Sequence, residues 1–291
     1  MNRVIVDRSD RIKIENSIMI LNDIKIPLRS IEFLILSARS DISLKDISRI
    51  VKRDIPMLIV TSNPKEFILV QKQYFKNANI KYIQYRALET RLEIAKVIID
   101  QKIKNSKKAL EILELKFNEE YFMIDVGKVN SLKELLGIEG TIAKEYFKIY
   151  FSIFPKVLAK GKRSKNPPLD PVNAMLSYMY TIFYYELAAR LNYMGFELTI
   201  GYLHAPFRGH FALASDLLEL LRADIDIFVA QLFLEKTVVH SDFTKRHQGV
   251  YLTENGRKKI WPHVKNFLEE KESLLKTKIV MLLNLIKKHS F

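Results

Sequence analysis

The chain has 291 residues, 48% of them hydrophobic and 27% charged, enough for two domains of ordinary size with a substantial core. Forty-seven Lys and Arg against 33 Asp and Glu give a net charge of +14, a balance that favours a polyanionic partner such as nucleic acid. The absence of cysteine excludes disulfides, thiolate zinc sites and thiol catalysis and is compatible with a cytoplasmic location.

Met1 to Arg8 lacks an apolar core of signal-peptide length, so secretion is not expected. Residues 1 to about 75 read as short strands rich in Ile and Val: Arg3 to Asp7, Ile12 to Glu15, Ile18 to Leu21, Lys25 to Pro27, Ile31 to Leu36 and Met57 to Thr61. Between the last two, apolar residues at 44, 47, 50 and 51 predict a helix, with Ser43 as N-cap. Nothing in this part looks catalytic, and its expected role is scaffold or dimerisation.

The period then changes to that of helices, which places a boundary between residues 78 and 79: a small N-terminal β-sheet domain, then a larger all-α catalytic domain, an α+β chain. Tyr85 to Leu115 predicts an amphipathic helix pair. Ser131-Leu-Lys-Glu is a capping box opening a helix in which Gly137 and Gly140 flank Glu139. Each glycine costs about 1 kcal/mol against Ala in a helix interior. The pair therefore reads either as a break between two short helices with an exposed Glu, or as a place where something approaches closely.

Lys160, Lys162, Arg163 and Lys165 form a basic loop, either a phosphate-binding element or a solvated one. Asp170 as N-cap and Pro171 at the first helical position begin a helix to about residue 194, stopped by Gly195. Its uncharged run falls short of the ~20 residues a membrane span needs, so it reads as a buried central helix. His204 then lies in a Gly- and Pro-rich turn, followed by a helical run with Asp216 and Glu219 on one face. Helices are expected over 223–235, from about 251 through 270, and over 271–288, the polar stretch 237–248 between them holding His240 and His247.

Two carboxylates and an imidazole suit Mg²⁺ or Mn²⁺, with substrate phosphate completing the shell, and together with a basic surface this points to phosphoryl transfer on nucleic acid. Walker A, G-x-G-x-x-G, G-x-S-x-G and H-E-x-x-H motifs are all absent.

Four segments carry a family resemblance: Gly137-Ile-Glu-Gly-Thr-Ile-Ala-Lys-Glu-Tyr-Phe; Asn166-Pro-Pro-Leu-Asp-Pro-Val-Asn-Ala-Met-Leu-Ser-Tyr-Met-Tyr; Gly201-Tyr-Leu-His with Leu213-Ala-Ser-Asp-Leu-Leu-Glu-Leu-Leu-Arg; and Gly249-Val-Tyr-Leu-Thr-Glu-Asn-Gly-Arg-Lys-Lys. In order and spacing the chain resembles the CRISPR-associated adaptation integrases, the Cas-one (Cas1) family. The resemblance implies a metal-dependent DNA integrase and endonuclease that inserts spacers into a CRISPR array, forming homodimers bridged by a dimer of Cas-two (Cas2). It puts the metal ligands on Glu139, His204 and Glu219, a supporting acid on Asp216, and a family asparagine on Asn173. Glu219 stands where the family also uses Asp, and the N-terminal part matches loosely. Lys160, Lys162, Arg163, Lys165 and Arg208 are expected to hold DNA phosphates, and Asn173 is expected to contact DNA with them. A casposase-like integrase, a catalytically silent DNA-binding scaffold and a basic helical adaptor are the rival readings.

Overall fold

A computed structural model describes residues 3–6, 11–31, 33–61, 67–72, 78–206 and 210–290. Two small sheets come first. Strands β1 (Arg3–Val6), β5 (Phe33–Ser37), β6 (Met57–Val60) and β7 (Phe67–Val70) lie side by side in that order, the first three parallel and β7 antiparallel to β6. Strands β2 (Ile12–Glu15), β3 (Ile18–Leu21) and β4 (Ile24–Pro27) make an antiparallel meander. Helix α1 (Leu44–Lys52) begins where expected, the Ser43 hydroxyl accepting the Asp46 N–H at 3.1 Å. Strand β7, Phe-Ile-Leu-Val, was not expected.

The helical part opens with α2 (Ala78–Arg86) and α3 (Arg91–Ile112), separated by a 3₁₀ turn; the helix pair expected over 85–115 is instead the single long helix α3, with α2 lying ahead of it. Helix α4 (Leu132–Phe151) is continuous through Gly137 and Gly140, which corrects the expectation of a break at Glu139. A Cβ at either glycine would meet nothing within 4 Å, so neither is required by a close neighbour. Their side is open space.

Helix α5 (Pro171–Tyr193) runs through the centre, with Met175, Leu176, Met179, Phe183, Leu187 and Leu191 at most 1% exposed. At roughly 1.5–3 kcal/mol for each such side chain, this burial is what holds the helical bundle together. Tyr185 and Ala189 of α5 also pack on Phe33, Ile35 and Leu58 of the first sheet, seating the β part on the helical core.

The short α6 (Ala212–Glu219) and α7 (Arg222–Leu234) pack on α5, and α8 (Glu254–Glu270) and α9 (Glu272–Lys288) close the chain. A hairpin of β8 (Phe243–Arg246) and β9 (Gly249–Leu252) interrupts the otherwise all-α part; β8 lies in the expected polar stretch, and β9 takes Tyr251 and Leu252, from which a helix was expected and which instead precede α8. The hairpin is tied to the basic loop by a Val250 N–H donated to the Pro168 carbonyl at 2.8 Å. No helix among the described residues is long and apolar enough to cross a membrane.

Candidate active site

The histidine turn is held from three directions. Gln84 of α2 accepts the Glu197 N–H at 2.8 Å and donates to the carbonyls of Glu197 (2.9 Å) and Ile200 (3.0 Å). Arg91, at the start of α3, donates to the carbonyls of Tyr202 and Leu203 at 2.5 and 3.3 Å. From below, the fully buried Asp216 carboxylate of α6 accepts the N–H groups of Tyr202 (2.5 Å), Leu203 (3.1 Å) and His204 (2.9 Å). Gly201 is needed here, because a Cβ would lie 2.9 Å from both Asp216 Oδ2 and Ala212.

Asp216 also stands 2.8 Å from His204 Nδ1. A carboxylate oxygen there accepts a hydrogen bond from Nδ1–H and leaves the Nε2 lone pair free, the arrangement in which metal-ligating histidines are held. Asp216 is thus a positioning residue, spent on the turn and the ring.

Glu139 from α4, His204 from the turn and Glu219 from the end of α6 all line one cleft of about 730 Å³. His204 Nε2 is 4.0 Å from Glu219 Oε1. Between the two glutamates lies a residue that sequence reasoning missed: Lys102 of α3, whose ammonium pairs with Glu139 Oε1 and lies 2.6 Å from Glu219 Oε2. Arg222, at the start of α7, closes on Glu219 Oε2 at 2.9 Å. Burial alone would push the Glu219 carboxyl up, but Arg222 and Lys102 beside it hold it well below the usual carboxylate range. It is an anion at any working pH.

Among the described residues, no three His, Asp or Glu side chains stand closed around one metal position. Glu139 and Glu219 instead share the Lys102 ammonium. The donor set nonetheless fits a hard divalent ion: two carboxylates already gathered around a cation, and an imidazole nitrogen with its lone pair on the same cleft.

Beneath the cleft is a buried polar network. Asp226 of α7 accepts from the Tyr146 hydroxyl at 2.8 Å and from the Tyr180 hydroxyl, while its backbone carbonyl accepts from Tyr150 at 2.9 Å. Burial pushes the Asp226 carboxyl up to about 6, against the opposing pull of these hydroxyls and of Arg222 and Arg163. The Arg222 guanidinium lies 4.5 Å over the Tyr180 ring.

Lys162, Arg163 and Lys165 of the basic loop line the cleft, while Lys160 is absent from its lining. Arg163 faces inward: it donates to Asn173 Oδ1 at 2.9 Å and Ser177 Oγ at 3.1 Å and lies 5.4 Å over Tyr180, so its guanidinium fastens the loop. Asn173 corrects the expectation of a DNA contact. It is fully buried, its amide donating to the Lys162 carbonyl and Asp170 and accepting from Arg163 and the Ser164 N–H, all at 2.8–2.9 Å. Arg208 lies outside the described residues. Sequence reasoning also missed Lys144 and Lys148, which line the cleft from α4; their four-residue spacing along the Gly140 face was the available signal.

The family model described as CRISPR associated protein Cas1 matches residues 2–266. A CRISPR-associated endonuclease Cas1 from Thermodesulfovibrio yellowstonii is 32% identical, over 94% of this chain and 93% of its own length. Among solved structures, a CAS1 protein from Thermotoga maritima has a TM-score of 0.87 at 19% identity, covering 98% of this chain and 97% of that one. A casposase bound to integration product has a TM-score of 0.84 at 22% identity, covering 100% and 91%. A chain of a partial Cas6-RT-Cas1–Cas2 complex has a TM-score of 0.65 at 20% identity, covering 99% and 95%. With the family model matched over residues 2–266 and a relative 32% identical over nearly the whole of both chains, the chain belongs to the CRISPR-associated Cas1 family.

Proposed function

We propose that this family member joins DNA ends into a target duplex for spacer acquisition, in a divalent-metal-dependent transesterification carried out in the cleft of Glu139, His204 and Glu219. The observation that carries this reading is the gathering of two glutamates from different helices around one cation, with the His204 Nε2 beside them and a lysine-rich wall opposite. The oxygen of a donor 3′ hydroxyl forms the new bond to phosphorus, the target's own P–O3′ bond breaks, and the departing 3′ oxygen ends as a hydroxyl.

Glu139, His204 and Glu219 would hold Mg²⁺ or Mn²⁺, and such an ion when bound supplies charge stabilisation at the phosphodiester oxygens. Asp216 keeps the imidazole in the tautomer that can ligate. Lys144, Lys148, Lys162 and Lys165 face the cleft and are suited to the DNA backbone. Assembly as a homodimer bridged by Cas2 is part of the same reading, supported by the likeness to a chain of a Cas1–Cas2 complex.

Branched and blunt DNA incubated with the pure protein and Mn²⁺ or Mg²⁺ tests it. Metal-dependent joining or cutting that Glu139→Gln and His204→Ala reduce by at least about 100-fold is the expected result. Metal-independent products, or activity that survives both substitutions, would rule the reading out. The casposase likeness is one of fold, and which donor end is joined distinguishes that reaction from spacer acquisition.

A further inference from the structure

We propose that Lys102 is a resident counter-ion of the site, which clamps Glu139 to Glu219 in the metal-free protein and is displaced into the cleft when a divalent ion binds; the inference rests on reading this cleft as a metal site. The local charge is already balanced. Two carboxylates, Glu139 and Glu219, face two cations, Lys102 and Arg222. A dication taken up by the same carboxylates puts like charges a few ångströms apart, so one of the resident cations has to leave.

The surroundings decide which one. Arg222 lines the same cleft, but its guanidinium also lies 4.5 Å over the Tyr180 ring and faces the charge of the Asp226 network, contacts it would have to give up on leaving. Lys102 hangs on four methylenes from α3, pairs with both glutamates through the one nitrogen, and borders the same cleft of about 730 Å³. Among the described residues its ammonium makes no aromatic ring contact and no backbone hydrogen bond, so it can swing out into the cleft it lines by rotation of its stem while α3 stays in place. Lys102 is therefore a positioning residue: it preserves the spacing of the two glutamates in the absence of metal, and it weakens metal binding by the work of its own displacement.

Calorimetric titration of Mn²⁺ into wild type, Lys102→Met and Glu139→Gln at constant ionic strength is the test, with melting temperatures taken with and without the ion. Lys102→Met is expected to bind Mn²⁺ about 10-fold tighter or better than wild type, to melt lower without metal, and to gain more in melting temperature when metal is added. Affinity equal to or weaker than wild type overturns the inference. Should Lys102→Met fail to fold, amine-acylation footprinting of wild type decides: Lys102 is protected without Mg²⁺ and several-fold more reactive with it, and unchanged reactivity overturns the inference. Wild type that binds no Mn²⁺ in a Glu139-dependent way sinks both the metal reading and this inference. Glu139-dependent binding with Lys102→Met indistinguishable from wild type sinks this inference alone.

Discussion

Asp216 separates the two jobs that an acidic residue can do beside the proposed metal site. Its oxygens are used by three backbone N–H groups and one imidazole, so it shapes the turn that presents His204 and has nothing left for a ligand. Asp216→Asn keeps the size but places an amide donor among donors, and the imidazole loses its anionic partner. The expected outcome is a 10- to 100-fold loss of Mn²⁺ affinity by calorimetry, with destabilisation of about 1–3 kcal/mol in urea melts. A loss of activity with unaltered metal affinity would show that Asp216 acts elsewhere. Asp226 makes a prediction of opposite character. Its folded carboxyl is raised to about 6 from an ordinary 3.8, so the folded chain holds this proton more tightly than the unfolded chain does. Its contribution to stability is fully present below pH 3.8 and is lost as pH rises through about 6, a total on the order of 3 kcal/mol. Asp226→Asn removes that dependence. The stability difference between wild type and variant should therefore move in the variant's favour from pH 4 to 7 in denaturant melts, and a difference independent of pH contradicts the assignment. In the sequence the ligand triad showed through small-residue neighbours and family spacing, whereas Lys102 was invisible. It meets Glu139 and Glu219 across separations that only the α3–α4–α6 packing closes.

At the scale of elements, the basic loop is placed by one buried asparagine. Asn173 ties residues 162–164 to the first turn of α5, and Asp170 caps that helix while accepting the Lys160 N–H at 3.0 Å. Asn173→Ala removes several buried bonds at once, so a cost of about 2–4 kcal/mol is expected in equilibrium unfolding. DNA affinity should fall as well, because Lys162 and Lys165 are no longer held over the cleft. The salt dependence tells the two effects apart. Lys165→Ala removes the phosphate contact proposed for this lysine and should lower the slope of log K against log salt by about 1. Asn173→Ala, if it acts through loop order, lowers affinity at every salt concentration with little change of slope. The helices themselves were legible because capping residues and 3.6-residue periods are local signals, and Ser43, Ser131 and Asp170 all cap where expected. The continuity of α4 was not, since Gly137 and Gly140 weaken a helix locally and only packing of Leu135, Ile142 and Tyr146 into the core overrides them. Strand β8, Phe-Thr-Lys-Arg, reads as a polar stretch, and β9, Gly-Val-Tyr-Leu, runs directly into the helix signal that follows it, so neither stands out, and β7 was not expected either.

For the molecule as a whole, the site depends on α5 keeping its place among helices that arrive from both ends of the chain, and one buried ionic group fastens it. Arg190 of α5 pairs with Glu186 at 2.6 Å on its own helix and with Glu272 at 2.5 Å, at the first turn of α9. Burial opposes ionisation of Glu272, yet Arg190 and then Lys276 hold its carboxyl down at about 2 from an ordinary 4.5. A depressed carboxyl contributes stability that is present above its unfolded value and lost as pH falls through its folded one. The window is therefore pH 4.5 down to about 2, and for a group partly open to solvent the contribution is about 1–2 kcal/mol after screening. Glu272→Gln should remove that part of the acid sensitivity and cost a similar amount at pH 7. Arg190→Met should cost more, about 3–5 kcal/mol, because it takes the guanidinium away from the Glu186 carboxylate, which is 1% exposed. Since α5 also carries Tyr180 beneath the cleft and Tyr185 against the N-terminal sheet, the loss should appear as one cooperative transition. Circular dichroism and tyrosine fluorescence melts of Arg190→Met that coincide and shift together bear this out. Separated transitions would mean that the α5–α9 tie secures only the C-terminal helices, leaving the cleft and the sheet to stand on their own packing.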